Sequence, residues 1–120
     1  MNAADELRAA AKTLRQRAEA ATPGPWKPDH SIPYGHRVGS SDDSDWVAWT
    51  GEYTETGSEA DASYIATMGP TVGKAIVELL ERAAKHYDDG FLCCEHGPDS
   101  CSEVVAPALA VARAINRSQP

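Results

Sequence analysis

Ala21-Thr22-Pro23-Gly24-Pro25-Trp26 divides the chain into two kinds of sequence, and the division decides the fold class. Pro23 and Pro25 each lack a backbone donor, so a helix arriving here cannot continue. Upstream, Leu7, Ala10, Ala11, Leu14, Ala18 and Ala21 recur at helical spacing, Asn2 is placed to cap, and Asp5 and Glu6 occupy the positive first turn. The pattern predicts a helix over 3–21, with Arg8, Lys12, Arg15 and Arg17 on its wetter positions. Downstream, from Trp26 to Thr50, the helical period is lost and short extended pieces alternate with Pro, Gly, Ser and Asp. That stretch reads as a small sheet over 26–50.

The best strand is Asp45-Trp46-Val47-Ala48-Trp49-Thr50, with Trp46 and Ala48 on one face and Val47 and Trp49 on the other. Arg37-Val38-Gly39 is its expected partner across the turn Ser40 to Ser44. In an aromatic-poor chain, Trp26, Trp46 and Trp49 read as core anchors. Ser58 followed by Asp61 resembles a capping signal, and Ala62, Ile65, Ala66 and Met68 predict a helix over 59–68 that Gly69-Pro70 ends.

Another helix, over 71–87, follows from the stripe Val72, Ile76, Leu79, Leu80, Ala83 and Tyr87, with Glu78 and Arg82, and Glu81 and Lys85, spaced four apart on its wet side. A last helix over 103–116 carries Leu109, Val111, Ala112 and Ile115. Ser100 and Glu103 have capping-box spacing, which leaves either a kink at Pro107 or a start there. The expected fold is α+β, with about four helices around a two- or three-stranded antiparallel sheet, and a chain of 120 residues is expected to form a single domain over 1–120.

No apolar run approaches the roughly 20 residues that span a bilayer, and the first residues read as an amphipathic helix instead of a signal peptide. The expectation is a protein of the bacterial cytoplasm with no membrane association. Three cysteines, odd in number and crowded together, suit a reducing compartment better than a disulfide framework.

Charge is more informative. The net charge is -7, and residues 41–61 hold seven acidic side chains and no basic one while the flanks cancel. Asp42, Asp43, Asp45, Glu52, Glu55, Glu59 and Asp61 would repel phosphate, so direct nucleic-acid binding is disfavoured and a basic partner protein is favoured. The bland alternative for such a run is a solvated acidic loop. A mimic of nucleic-acid phosphates that inhibits a DNA-binding protein is a further reading.

Cys93, Cys94, His96 and Cys101 lie in a Gly/Pro turn between two helices, where thiolates and an imidazole could converge on a structural zinc. The competing reading packs the cysteines as small hydrophobes. A zinc-dependent or thiol enzyme centred on this turn is the enzymatic alternative, although no Cys-x-x-Cys pair is present. Asp42-Asp43-Ser44-Asp45 lacks the glycine and distal glutamate of a calcium loop. Gly69-Pro70-Thr71-Val72-Gly73-Lys74-Ala75 is too short for a phosphate loop, and it places proline where an amide donor is required. His30 and His36 flank a Pro/Gly turn and read as exposed loop.

Ala21 to Trp26, Asp61-Ala62-Ser63-Tyr64-Ile65-Ala66 running into Pro70 to Glu81, and Ala108 to Ile115 together resemble the Ead-like group of small accessory proteins from phages, prophages and actinobacterial genomes. The resemblance covers about half of the chain in discontinuous blocks. It implies a helix, a small sheet after the Pro-Gly-Pro-Trp turn and packed helices beyond. It implies no enzyme activity and transfers no catalytic residue. The functional expectation is a non-enzymatic accessory protein that binds a basic or host protein through its acidic segment, with at most one structural zinc. The oligomeric state is left open.

Overall fold

The structure, a computed structural model, describes residues 2–40, 46–89 and 105–118. Among the described residues, four helices and a three-stranded antiparallel sheet make an α+β fold. In chain order the elements are α1 (Ala3–Ala20), β1 (Lys27–Asp29), β2 (Gly35–Gly39), β3 (Trp46–Glu52), α2 (Ser58–Thr67), α3 (Pro70–Asp88) and α4 (Val105–Arg117). The helices fall where the periodicity places them, with ends shifted by a residue or two. The chain forms two compact units, one drawn from Met1–Gln16 and Lys74–Pro120, the other Arg17–Gly73.

The first unit is helical. Asn2 caps α1 as expected: its Oδ1 accepts from the Asp5 amide at 2.8 Å, and Asp5 Oδ2 accepts in return from the Asn2 amide at 3.2 Å. Leu7 of α1, Leu80 of α3 and Val105 of α4 are fully buried, and Ala4, Ala10, Ala11, Ala83, Ala84 and Ala112 fill the space around them. Alanine lets helix backbones approach closely, which is how a chain with few large apolar side chains still packs a dry core.

Charged side chains close the rim of this core. Arg8 pairs with Asp88, Arg15 with Glu81, and Arg113 with Glu6 at 3.2 Å. Glu81 therefore reaches α1 instead of Lys85, whose ammonium pairs with Asp89 at 2.7 Å. Pro107 is the third residue of α4, where a missing N–H removes no intrahelical bond, so the helix starts two residues ahead of it. Residues 103 and 104 of the expected span lie outside the described residues.

The second unit holds the sheet, ordered β1-β2-β3, with α2 packed against it. The expected pairing of Arg37-Val38-Gly39 with the Trp46 strand is present, running Arg37↔Trp49, Val38↔Ala48 and Gly39↔Trp46. Val38 is fully buried beneath Ala62 and Ala66 of α2, with Trp26, Val47, Ala48 and Ile65 packed around them. Trp26 is fixed by its indole N–H, which donates to the Thr22 carbonyl at 2.8 Å.

Candidate functional site

Register decides what β3 shows to solvent. Its pairing runs Gly39↔Trp46, Val38↔Ala48, Arg37↔Trp49, His36↔Gly51 and Gly35↔Glu52, so Val47 and Thr50 have no Cα partner on β2. Each extra residue resets the alternation of faces. Plain alternation separates Trp46 from Trp49. With Val47 skipped, both indoles stand on the face opposite to buried Val38, beside Gly39 and Arg37 respectively, and are 59% and 47% exposed. The expectation that all three tryptophans anchor the core therefore holds for Trp26 and fails for Trp46 and Trp49.

The acidic segment continues from this strand. Glu52 ends β3, Glu55 lies in the following turn, and Glu59 and Asp61 occupy the first turn of α2; all four are exposed. The backbone that carries them is fastened from within. Ser58, itself buried, donates its hydroxyl to the Glu52 carbonyl at 2.9 Å. The Thr50 hydroxyl lies 2.7 Å from the Ser58 carbonyl and 3.1 Å from the His36 carbonyl. Amides of Glu55 and Ser58 donate to the carbonyls of Glu52 at 3.0 Å and Glu55 at 3.3 Å. Gly51, the next-to-last residue of β3, has a φ of +139°, a conformation that a side chain rarely adopts.

Two of the four carboxylates have a structural use, because Glu59 and Asp61 complement the positive end of α2, an effect of about 0.3–1 kcal/mol for exposed charges. Glu52 and Glu55 have none of that kind. Among the described residues, no Lys or Arg forms an ion pair with any of the four. Asp42, Asp43 and Asp45 lie outside the described residues.

Between β3 and α2 lies an open depression of about 380 Å³, lined by Trp49, Thr50, Asp61, Tyr64 and Ile65. Asp61 and Tyr64 are three residues apart on one stripe of α2, and Met68 caps the end of that helix. Tyr64 is 69% exposed, and Met68, expected in the buried stripe, is exposed as well; the stripe that is buried consists of Ala62 and Ala66, with Ile65 packed against them. Acid, aromatic and apolar groups thus meet at the edge of the sheet.

The start of β2 carries a second polar cluster. His36 is 6% exposed, and its Nδ1 lies 2.6 Å from Nδ1 of His30, so one ring donates and the other accepts. Tyr53 meets His36 edge-on and hydrogen-bonds through its hydroxyl to the carbonyls of His30 and Ile32. Nearby, the Asp29 carboxylate accepts from the Ser31 hydroxyl at 2.6 Å, the Ser31 amide at 3.0 Å and Arg37 Nε at 2.7 Å. The two Ser31 bonds foremost, then the Arg37 guanidinium, hold its carboxyl well below the ordinary aspartate range against a smaller opposing effect of burial. The Pro/Gly turn between them predicts exposed loop for both histidines, whereas His36 is buried.

Cys93, Cys94, His96 and Cys101 lie outside the described residues. Among the described residues, no group of three or more His, Cys, Asp or Glu is placed to hold a metal ion, and no helix is long and apolar enough to cross a membrane. No family model matches the chain, and neither a curated protein nor a solved structure matches it.

Proposed function

We propose that this chain acts by binding a basic protein, and that it docks through the face of the Arg17–Gly73 unit that carries Trp49, Tyr64, Glu52, Glu55, Glu59 and Asp61. The observation that carries the reading is the coincidence of exposed aromatic rings with exposed carboxylates that no cation of the described chain neutralises. Aromatic side chains are the commonest anchors of protein interfaces, and a rim of one sign steers a partner of the other sign and fixes its register. A carboxylate that served solubility alone would not need two large aromatic residues beside it, as Trp49 and Tyr64 stand beside Asp61.

Resemblance to the Ead-like group supports an accessory protein of the phage or prophage kind, one that works by occupying a surface of a host protein and not by catalysis. Phosphate repulsion by the same carboxylates argues against nucleic acid as the direct ligand.

The test is retrieval of partners from cells that carry the gene, comparing the intact protein with Glu52→Gln/Glu55→Gln/Glu59→Gln/Asp61→Asn. Docking through this face requires that the neutralised protein lose its basic partner and that retrieval by the intact protein weaken as salt rises, since exposed charges are screened over about 8 Å at physiological ionic strength. Equal recovery of the same proteins by both would refute the reading.

A further inference from the structure

Resting on the reading above, we propose that the depression bounded by Trp49, Asp61 and Tyr64 receives the cationic side chain of an arginine or lysine presented by the partner.

Its walls carry three different chemistries at one place. Trp49 and Tyr64 are the aromatic residues of its lining, and an aromatic ring attracts a cation that comes over its face within about 6 Å of the ring centre. Asp61 supplies a full negative charge, with no Lys or Arg paired to it among the described residues. Ile65 adds an apolar surface against which the methylenes of a long basic side chain can lie while the charged head stays with the rings and the carboxylate.

At about 380 Å³, the depression has volume enough for a guanidinium or ammonium head together with part of its stem. A neutral apolar side chain is the poorer occupant, because it would cover Asp61 without offering the carboxylate a partner and so leave a desolvated charge. An acidic one is repelled outright. Arginine has the further advantage that its flat guanidinium stacks on an indole while its fork pairs with a carboxylate.

The walls are also held before any partner arrives. The Trp49 ring lies over Gly35, where a Cβ would stand 2.5 Å from its Cη2 atom, and Thr50 is tied by its hydroxyl to the start of α2 through the Ser58 carbonyl. Groups that need no ordering on contact lose less entropy on binding.

The experiment titrates the full-length protein with three acetylated, amidated Gly/Ser peptides of equal length, carrying three arginines, three lysines or three citrullines, while the indole N–H resonance of Trp49 is followed by NMR. Arginine or lysine peptides should shift that resonance saturably, and citrulline, which keeps the shape of arginine without its charge, should not. Asp61→Asn and, separately, Tyr64→Leu should each weaken the cationic peptides about threefold to tenfold. Glu59→Gln removes an equal charge in the same helix turn outside the depression, and should weaken them less than Asp61→Asn does.

Equal losses for Glu59→Gln and Asp61→Asn would overturn the pocket while leaving general docking of a basic partner intact. Citrulline binding as well as arginine would also overturn it. Failure of every basic peptide to bind at low salt would overturn both the pocket and the reading on which it rests.

Discussion

Trp49 packs against Gly35 so closely that no side chain fits between them: a Cβ on residue 35 would stand 2.5 Å from the Trp49 Cη2 atom and would also strike the Gly51 carbonyl oxygen. One absent methyl group thereby sets both the seating of an exposed indole and the spacing of β2 from β3. Gly35→Ala must displace the ring and the strand together. It is expected to destabilise the fold by about 1–3 kcal/mol, the range of overpacking substitutions. Urea unfolding followed by tryptophan fluorescence measures the loss, and peptide titration of the same variant should show weakened binding.

Asp29 gives the protein an acid-sensitive contribution. Bonds from Ser31 and Arg37 favour its charged form, so its folded-state pKa is depressed and its contribution is fully present above the ordinary aspartate value of 3.8. As pH falls below that value, the unfolded chain takes up the proton first and this stability is progressively lost. Asp29→Asn should therefore be less stable than the parent at neutral pH, and the difference should shrink as pH falls toward 2, a trend read from thermal unfolding across pH.

The His30–His36 bond predicts non-additive mutations. His30→Ala leaves the buried His36 ring without the acceptor or donor it now has, at an expected cost of about 1–3 kcal/mol. Changing His36 to Leu in the same background removes the stranded polar atom and should recover part of that loss. A double-mutant cycle by chemical denaturation measures the coupling, and simple additivity would contradict it.

In the helical unit, burial and charge should differ sharply in weight. Leu80→Ala empties a fully buried position and is expected to cost about 2–5 kcal/mol. Arg8→Ala breaks an ion pair whose two side chains are about half exposed, and should cost under about 1 kcal/mol. Comparing the two midpoints in one denaturant series tests the contrast.

Much of this architecture was legible in the chain because it depends on local signals. Apolar residues at helical spacing mark α1 and α3, Asn2 is legible as the cap of α1, and Pro23 with Pro25 marks the change to extended chain. What escaped depended on register and on distant partners. The skip at Val47 that turns Trp46 and Trp49 to the same face has no signature in a strand read two residues at a time. Glu81 chose Arg15 over Lys85 because another helix lies within reach, and His36 is buried because Tyr53 and His30 close over it. Composition did single out Glu52, Glu55, Glu59 and Asp61, but the aromatic residues beside Asp61 emerge only once β3 and α2 are placed together. A hint did exist for Tyr64, which follows Asp61 by one helical turn.

Binding of a basic partner by the acidic and aromatic face is tested most directly by the salt dependence of affinity, measured by titration calorimetry for the parent and for the fourfold neutralised variant with the arginine peptide. The docking face requires that the parent lose affinity steeply between low and physiological salt, and that the variant bind weakly with a nearly flat dependence. The same affinity and the same slope for both proteins would contradict it.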